Sequence, residues 1–254
     1  MDSLRIRRVL AYLKQRKSCT VEELMEKFGV SSATAHRDIA LLSKRDAVER
    51  VRGGIVYNDA PETRASSANY QERVILRRTE KTSAAKKALA LITEGDIIFL
   101  DSSTTTYELA ILLMHSDFDH LTIITNSLAV MGLFRKMPAH WSLIGLGGNY
   151  DVQLNSILGM SALEQLSRFN LTKAFVSCFG VDDKNATTNH ERQAEMLRKV
   201  LDAADKRYLV VDHTKIGRKG LYRIAARGGF DAIITDGRRS GVPWSSRITR
   251  PCRG

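Results

Sequence analysis

The stretch Gly29-Val30-Ser31-Ser32-Ala33-Thr34-Ala35-His36-Arg37-Asp38-Ile39-Ala40-Leu41-Leu42 reads as a helix that carries polar and basic side chains outward. Ser31 is a good N-cap, and Ala35, Ile39 and Leu42, at spacings of four and three, put a narrow apolar stripe on one face. The opposite face holds Ala33, His36, Arg37 and Ala40. Two small residues beside an imidazole and a guanidinium let a helix approach a groove closely while donors reach phosphates or base edges. Taken alone, the segment reads equally well as an ordinary amphipathic surface helix, so its flanks decide.

Upstream, Ile6, Val9, Leu10 and Leu13 recur at helical spacing, giving an opening helix that ends near Lys17. Thr20 and Glu23 form a candidate capping box for a second helix, with Val21, Leu24, Met25 and Phe28 as its apolar stripe and Gly29 as its stop. Downstream, Val48 to Arg52 has strand character, Gly53-Gly54 marks a turn, and Ile55-Val56-Tyr57 returns as a second strand. Three helices and a two-stranded hairpin in under sixty residues is the order of a winged helix-turn-helix. The expected partner is double-stranded DNA, contacted by Ser31, Ser32, Ala33, Thr34, His36 and Arg37 from the helix and by Arg50 and Arg52 from the wing.

The run Val21-Glu22-Glu23-Leu24, then Phe28-Gly29-Val30-Ser31, Thr34, Arg37-Asp38-Ile39, Leu42 and Gly53-Gly54 resembles the N-terminal signature of the DeoR family of bacterial transcriptional regulators. Two positions depart from that pattern. Ala35 stands where the family usually has a bulky aliphatic residue, which implies looser packing under the helix. His36 stands where a second basic residue is usual, and an imidazole carries less charge at neutral pH, which implies weaker phosphate affinity.

Charge is distributed unevenly. Of the formal net charge of +11, residues 1–58 hold 12 Lys/Arg against 7 Asp/Glu, and residues 237–254 hold five Arg and no acid, so the large middle is nearly neutral. That fits a small basic nucleic-acid module attached to a neutral domain. A chain of 254 residues with 43% hydrophobic residues has room for two domains and a substantial core. No apolar run approaches a membrane span and the first residues lack a secretory core, so a soluble cytoplasmic protein is expected. Cys19, Cys178 and Cys252 are isolated and read as free thiols. No metal, cofactor or catalytic residue is assigned.

Residues 59–69 are small, polar and interrupted by Pro61, and read as a linker between a DNA-binding domain over 1–58 and a sensor domain over 70–236. Tyr70 to Ile92 reads as one helix. Its cluster of Arg77, Arg78, Lys81, Lys86 and Lys87 reads as a solvated face, with DNA contact as the alternative.

From Glu94 the texture changes to short apolar runs at 96–100, 121–125, 141–144, 174–177, 208–211 and 231–234, separated by helical stretches. Such runs suit strands buried on both faces, and the alternation predicts an α/β domain with a mainly parallel sheet. Ligands in such sheets sit beyond the carboxyl ends of the strands. The residues there are polar: Asp101-Ser102-Ser103-Thr104-Thr105-Thr106, Asn126-Ser127, Gly147-Gly148, Gly180 with Asp182, and Asp212 with Lys215. Hydroxyls and backbone amides at a strand-to-helix turn offer donors to an anion, while Asn126, Asp101 and Asp212 suit sugar hydroxyls. Singly, each turn is an ordinary cap or bend. Together they predict a pocket for a phosphorylated sugar.

These turns, with Gly159 and Asp212-His213-Thr214-Lys215-Ile216-Gly217-Arg218, follow in order the C-terminal sensor domain of the same family, which is similar in fold to ribose-5-phosphate isomerase. The resemblance spans about residues 5 to 236 and implies a repressor of carbohydrate genes whose DNA affinity responds to a phosphorylated sugar. Gln193 and Leu197 replace the Glu and Lys common in relatives, which implies a different or weaker effector. Paired half-sites imply a dimer or tetramer. The alternative is an isomerase-like enzyme carrying a DNA module, with Asp101, Asp212 and Lys215 as nominees for base and polarising group. Residues 237–254 depart from the family pattern and read as a basic tail: either a product of a reading-frame change that leaves a sheet edge uncovered, or a DNA-contacting segment.

Overall fold

The computed structural model describes residues 2–16, 18–43, 48–51, 54–57 and 70–237. The expected linker over 59–69, the tail beyond Gly237, Cys252 and Arg52 lie outside the described residues, as does the side chain of Arg50. The chain divides into two units, Met1–Ser67 and Ala68–Gly254. No described helix is long and apolar enough to cross a membrane.

In the first unit, α1 (Asp2–Arg16), α2 (Val21–Phe28) and α3 (Ser32–Ser43) pack with β1 (Ser18–Thr20), β2 (Val48–Val51) and β3 (Gly54–Tyr57). The capping box forms as the sequence predicts. Thr20 Oγ1 accepts from the Glu23 amide at 3.1 Å, and Glu23 Oε2 accepts from the Thr20 amide at 3.0 Å. Gly29 closes α2 in the left-handed region at φ 61°. Ile6, Val9, Leu13, Leu24, Ala35, Ile39 and Leu42 form the core with Val48 and Ile55. Ala35 is fully buried.

Two features differ from expectation. The wing is three-stranded, because β1 pairs antiparallel with β3. Gly54 belongs to β3 and is not the turn the Gly53-Gly54 pair suggested: a Cβ there would stand 2.6 Å from the Cys19 carbonyl oxygen, so close approach of β1 excludes a side chain. A three-residue strand has too little periodicity to be recognised in advance.

The second unit is built on six strands, β4 (Ile97–Leu100), β5 (Thr122–Thr125), β6 (Ser142–Gly145), β9 (Leu171–Val176), β12 (Ala204–Val210) and β14 (Ala232–Ile234). Their spatial order is β14-β12-β9-β4-β5-β6, and every pairing is parallel. Side chains alternate between two cores. Ile98, Leu100, Ile123, Phe175 and Val210 enter the core with α5 (Arg78–Leu89), α6 (Thr104–Leu113) and α7 (Leu128–Leu133). Phe99, Ile124, Ala174, Val176 and Leu209 enter the core with α8 (Met160–Leu166) and α9 (Glu191–Asp202). Both faces are covered, which is why these strands read as continuous apolar runs.

Two small antiparallel additions were not foreseen: the hairpin β7 (Asn149–Asp151) with β8 (Ser156–Leu158), and the sheet of β10 (Gly180–Val181), β11 (Asn185–Thr188) and β13 (Tyr222–Ala226). The expected single helix over 70–92 is two, α4 (Tyr70–Ile75) and α5, separated at Arg77, which adopts φ 52°. The Arg77 guanidinium donates to Thr214 Oγ1 at 2.8 Å, a tertiary tie that overrides local helix propensity.

Candidate functional site

On α3, Ser31 Oγ accepts from the Thr34 amide at 3.4 Å and lies 3.0 Å from Thr34 Oγ1, so the cap sits where the sequence places it. Ser31, Ser32, Ala33, His36 and Arg37 are exposed, and Thr34 is half-buried. The face turned inward holds Ala35, Ile39, Leu42 and a charged residue, Asp38, with 1% of its surface exposed. Asp38 receives Arg5 of α1 through two parallel bonds, Nε to Oδ2 at 2.8 Å and Nη2 to Oδ1 at 3.0 Å. This bidentate pair fixes α3 against α1, so the outward residues stand on a braced helix. The bracing role of Asp38 was not visible in the sequence, where a carboxylate on a helix reads as solvent-facing.

In the second unit, chain order runs β4, β5, β6 to one side and β9, β12, β14 to the other, so the direction reverses between β4 and β9. This is the topological switch point, the place where open α/β sheets bind their ligands. Asp101 bridges it. Its Oδ1 accepts from the Ser103 amide at 3.0 Å and Thr106 Oγ1 at 2.6 Å, and its Oδ2 accepts from the Ser177 amide, beyond β9, at 2.8 Å. All of the Asp101-to-Thr106 turn is buried. Ser103 caps α6, accepting from the Thr106 amide at 3.1 Å. Thr105 Oγ1 is buried with no hydrogen-bond partner.

Beyond β5, Asn126 Nδ2 donates to Ser156 Oγ at 2.9 Å and to the Ile157 carbonyl at 3.1 Å, while its Oδ1 is buried and unpartnered. Ser127 caps α7. Beyond β12, Asp212 accepts from the Thr214 amide at 3.1 Å, and Lys215 Nζ donates to Ser177 Oγ at 3.0 Å. Burial opposes ionisation of Asp212, but Lys215, Thr214 and Arg77 outweigh it and hold the carboxyl below its usual range. Cys178, buried beside this cluster, has its thiol pushed up to about 12 by burial, so it stays neutral. Cys19 and Cys178 are both free.

Other expected residues have local tasks. Gly147 donates its amide to Gln165 Oε1 at 2.9 Å, and a Cβ on Gly148 would meet the Leu158 carbonyl oxygen at 2.8 Å, so this pair seats the β7–β8 hairpin against α8. A Cβ on Gly180 would lie 2.4 Å from the Arg218 carbonyl oxygen. Asp182 accepts from the amides of Lys184 at 2.8 Å and Asn185 at 2.7 Å, closing the β10–β11 hairpin. Gln193 accepts from Thr188 Oγ1 at 2.5 Å, and Leu197 is in the core.

The structure adds residues from before the sheet that were not singled out as ligand-binding. Tyr70 is buried, with the Arg73 guanidinium over its ring at 5.8 Å, and both lie close enough to Asp101 to feel its charge. Lys81 has only 4% of its surface exposed. The solvated-face reading therefore fails for Lys81. It holds for Lys87, which is exposed and donates its Nζ to the Thr235 carbonyl at 2.7 Å. Arg78 matches it too, since it is 63% exposed while pairing with the buried Glu108 at 3.0 Å. A signal was present: Lys81 lies three, four and seven residues before Ala84, Ala85 and Ala88, all buried, so helical periodicity places it on the inner face.

Two family models match the chain: the DeoR-like helix-turn-helix domain over residues 5–60 and the DeoR C terminal sensor domain over residues 76–237. The HTH-type transcriptional regulator IolR of Bacillus subtilis is 30% identical over 92% of this chain and 91% of its own length. The lactose phosphotransferase system repressor of Staphylococcus epidermidis is 31% identical over 91% of each chain, and the HTH-type transcriptional repressor GlcR of B. subtilis is 29% identical over 90% and 86%. With a helix-turn-helix unit ahead of a six-stranded parallel α/β unit, and both matches covering them in order, the chain belongs to the DeoR family of transcriptional regulators.

Proposed function

We propose that this protein is a cytoplasmic repressor of carbohydrate-metabolism genes, that it binds operator DNA as a homo-oligomer through α3 and the wing, and that a phosphorylated sugar at the switch point controls it. The observation that carries the effector reading is the cluster of buried polar side chains around Asp101. Two polar atoms there, Thr105 Oγ1 and Asn126 Oδ1, are sealed from water without partners. Native structures rarely tolerate that, since an unmatched buried group costs about 1–3 kcal/mol, and a hydroxyl-rich ligand would satisfy both. The capped start of α6 and Lys215 suit the phosphate. The repressors of sugar metabolism among the relatives support the class of ligand and of target gene.

Binding without turnover is the better reading of the same residues. A general base needs a free carboxylate near the reacting carbon, and the Asp101 oxygens are already occupied by three donors. The experiment is a gel shift with DNA from beside the protein's own gene, repeated with a panel of sugar phosphates. A retarded band at low salt that one compound shifts is expected. Absence of any band at low salt overturns the proposal, and steady isomerisation of a compound that binds would return the enzymatic reading.

A further inference from the structure

The positive charge of the first unit is not confined to α3 and the wing. On α1, Arg5, Tyr12 and Arg16 are spaced by seven and four residues and so lie along one side of the helix. That side meets the helix-turn-helix. Arg5 reaches Asp38 of α3, and the Tyr12 ring stands edge-on to the ring of Phe28, the last residue of α2, at 5.6 Å and 84°. Two cations gather on Tyr12. Arg16 Nη1 donates to its hydroxyl at 2.9 Å with the guanidinium 6.0 Å from the ring centroid, and Lys27 Nζ, from the last turn of α2, lies 5.9 Å from the same centroid.

Arg16 and Lys27 are exposed, and among the described residues neither is in an ion pair. Glu23 is close enough for Arg16 to feel its charge, but its carboxylate is engaged by the Thr20 amide in the α2 capping box. An aromatic face attracts cations without cancelling their charge. Two long side chains are thus held near one place with both charges left for an anion, which lowers the ordering cost of binding one. A carboxylate in place of the ring would gather them and neutralise them. The place is next to α3. Lys27 is four residues before Ser31, the cap of that helix, so their Cα atoms are at most about 14 Å apart, close to the roughly 12 Å width of a DNA major groove. A helix whose capped end enters the groove brings what lies at that distance against the phosphates that border it.

We propose that Arg16 and Lys27, gathered by Tyr12, grip the phosphate backbone of operator DNA beside the groove that α3 enters. The inference rests on the operator-binding reading above and adds to it a third point of attachment, from α1 and α2, outside α3 and the wing. Phosphates carry no base identity, so this contact fixes the depth and angle at which α3 sits and adds equally to every DNA sequence. Within α3 itself the only Lys or Arg is Arg37, which makes cations on neighbouring helices a large part of the local phosphate attraction.

Fluorescence anisotropy of the full chain tests this, with one labelled duplex from beside the protein's own gene and one of scrambled sequence, each titrated from about 50 to 200 mM salt. Arg16→Gln and Lys27→Gln should each lower the slope of log K against log salt by about 0.9 and weaken both duplexes by the same few-fold factor, with the melting temperature unchanged. Arg16→Lys keeps the charge and should keep the slope. Tyr12→Leu leaves both charges but removes the ring, and should weaken both duplexes about two- to threefold. Lys136→Gln, at an exposed position of the second unit, controls for net charge and should change nothing. Slopes in Arg16→Gln and Lys27→Gln no lower than in Lys136→Gln overturn the contact and leave the operator reading standing. A loss confined to the natural operator at unchanged slope overturns it too, since the cations would then be acting on base contacts. Unaltered binding in Tyr12→Leu overturns the part given to the ring. No binding of wild type to either duplex at low salt rejects the operator reading and this inference together.

Discussion

Helices α3 and α5 are each twelve residues long, and each carries a cation that matters, yet they hold it in opposite ways. Arg37 on α3 is exposed, while Lys81 on α5 is buried among other cations. The charged residue that α3 does bury, Asp38, is matched by Arg5, and the helix presents its polar face outward. The second unit conceals polar side-chain atoms without partners, among them Thr105 Oγ1 and Asn126 Oδ1 at the strand ends. A hydrated surface cation suits a polyanion approached from solvent, where affinity comes from counterion release and adjusts with salt. A desolvated cation is costly until a specific small anion arrives, so its affinity is selective and its occupancy is felt by the fold.

The contrast gives graded expectations. Asp101→Ala removes the acceptor for three donors across the β4–β9 junction and should cost about 3–5 kcal/mol, read as a large fall in melting temperature of the second unit. A loss under about 1 kcal/mol would mean the junction is held by packing alone. Asp38→Ala removes the bidentate acceptor for Arg5 that ties α3 to α1 and should cost about 1–3 kcal/mol in the first unit while leaving effector affinity unchanged. Arg37→Ala, an exposed change, should leave stability within about 0.5 kcal/mol but weaken operator binding by about tenfold. Equal losses of stability and affinity would blur the distinction drawn between the helices. His36→Arg should strengthen operator binding a few-fold and steepen its salt dependence by about 0.9 in log–log slope. Weaker binding to the natural operator would instead show His36 reading a base.

The α2 capping box, the α3 stripe, the six sheet strands and the polar strand ends were legible because each is set by neighbours within a few residues. Caps and alternating or helical periods are local signals. Other features were not. Gly54 looked like half of a turn because its neighbour Gly53 is also glycine, whereas the constraint comes from Cys19, distant in sequence. The break at Arg77 depends on Thr214, 137 residues away. Lys81 drew its reading from the surrounding charge run, although the Ala84, Ala85 and Ala88 stripe it continues pointed inward.

By itself, the sequence determined the three helices of the first unit, the six strands of the parallel sheet, the α/β class of the larger unit, and which turns carry donors. Those properties follow from backbone propensity and from the periodicity with which apolar side chains must be hidden. Tertiary structure alone decided which charges are matched. Whether a lysine or an aspartate is solvated, paired or stranded depends on what other elements bring within a few ångströms and on whether water is excluded, and neither quantity is written along the chain.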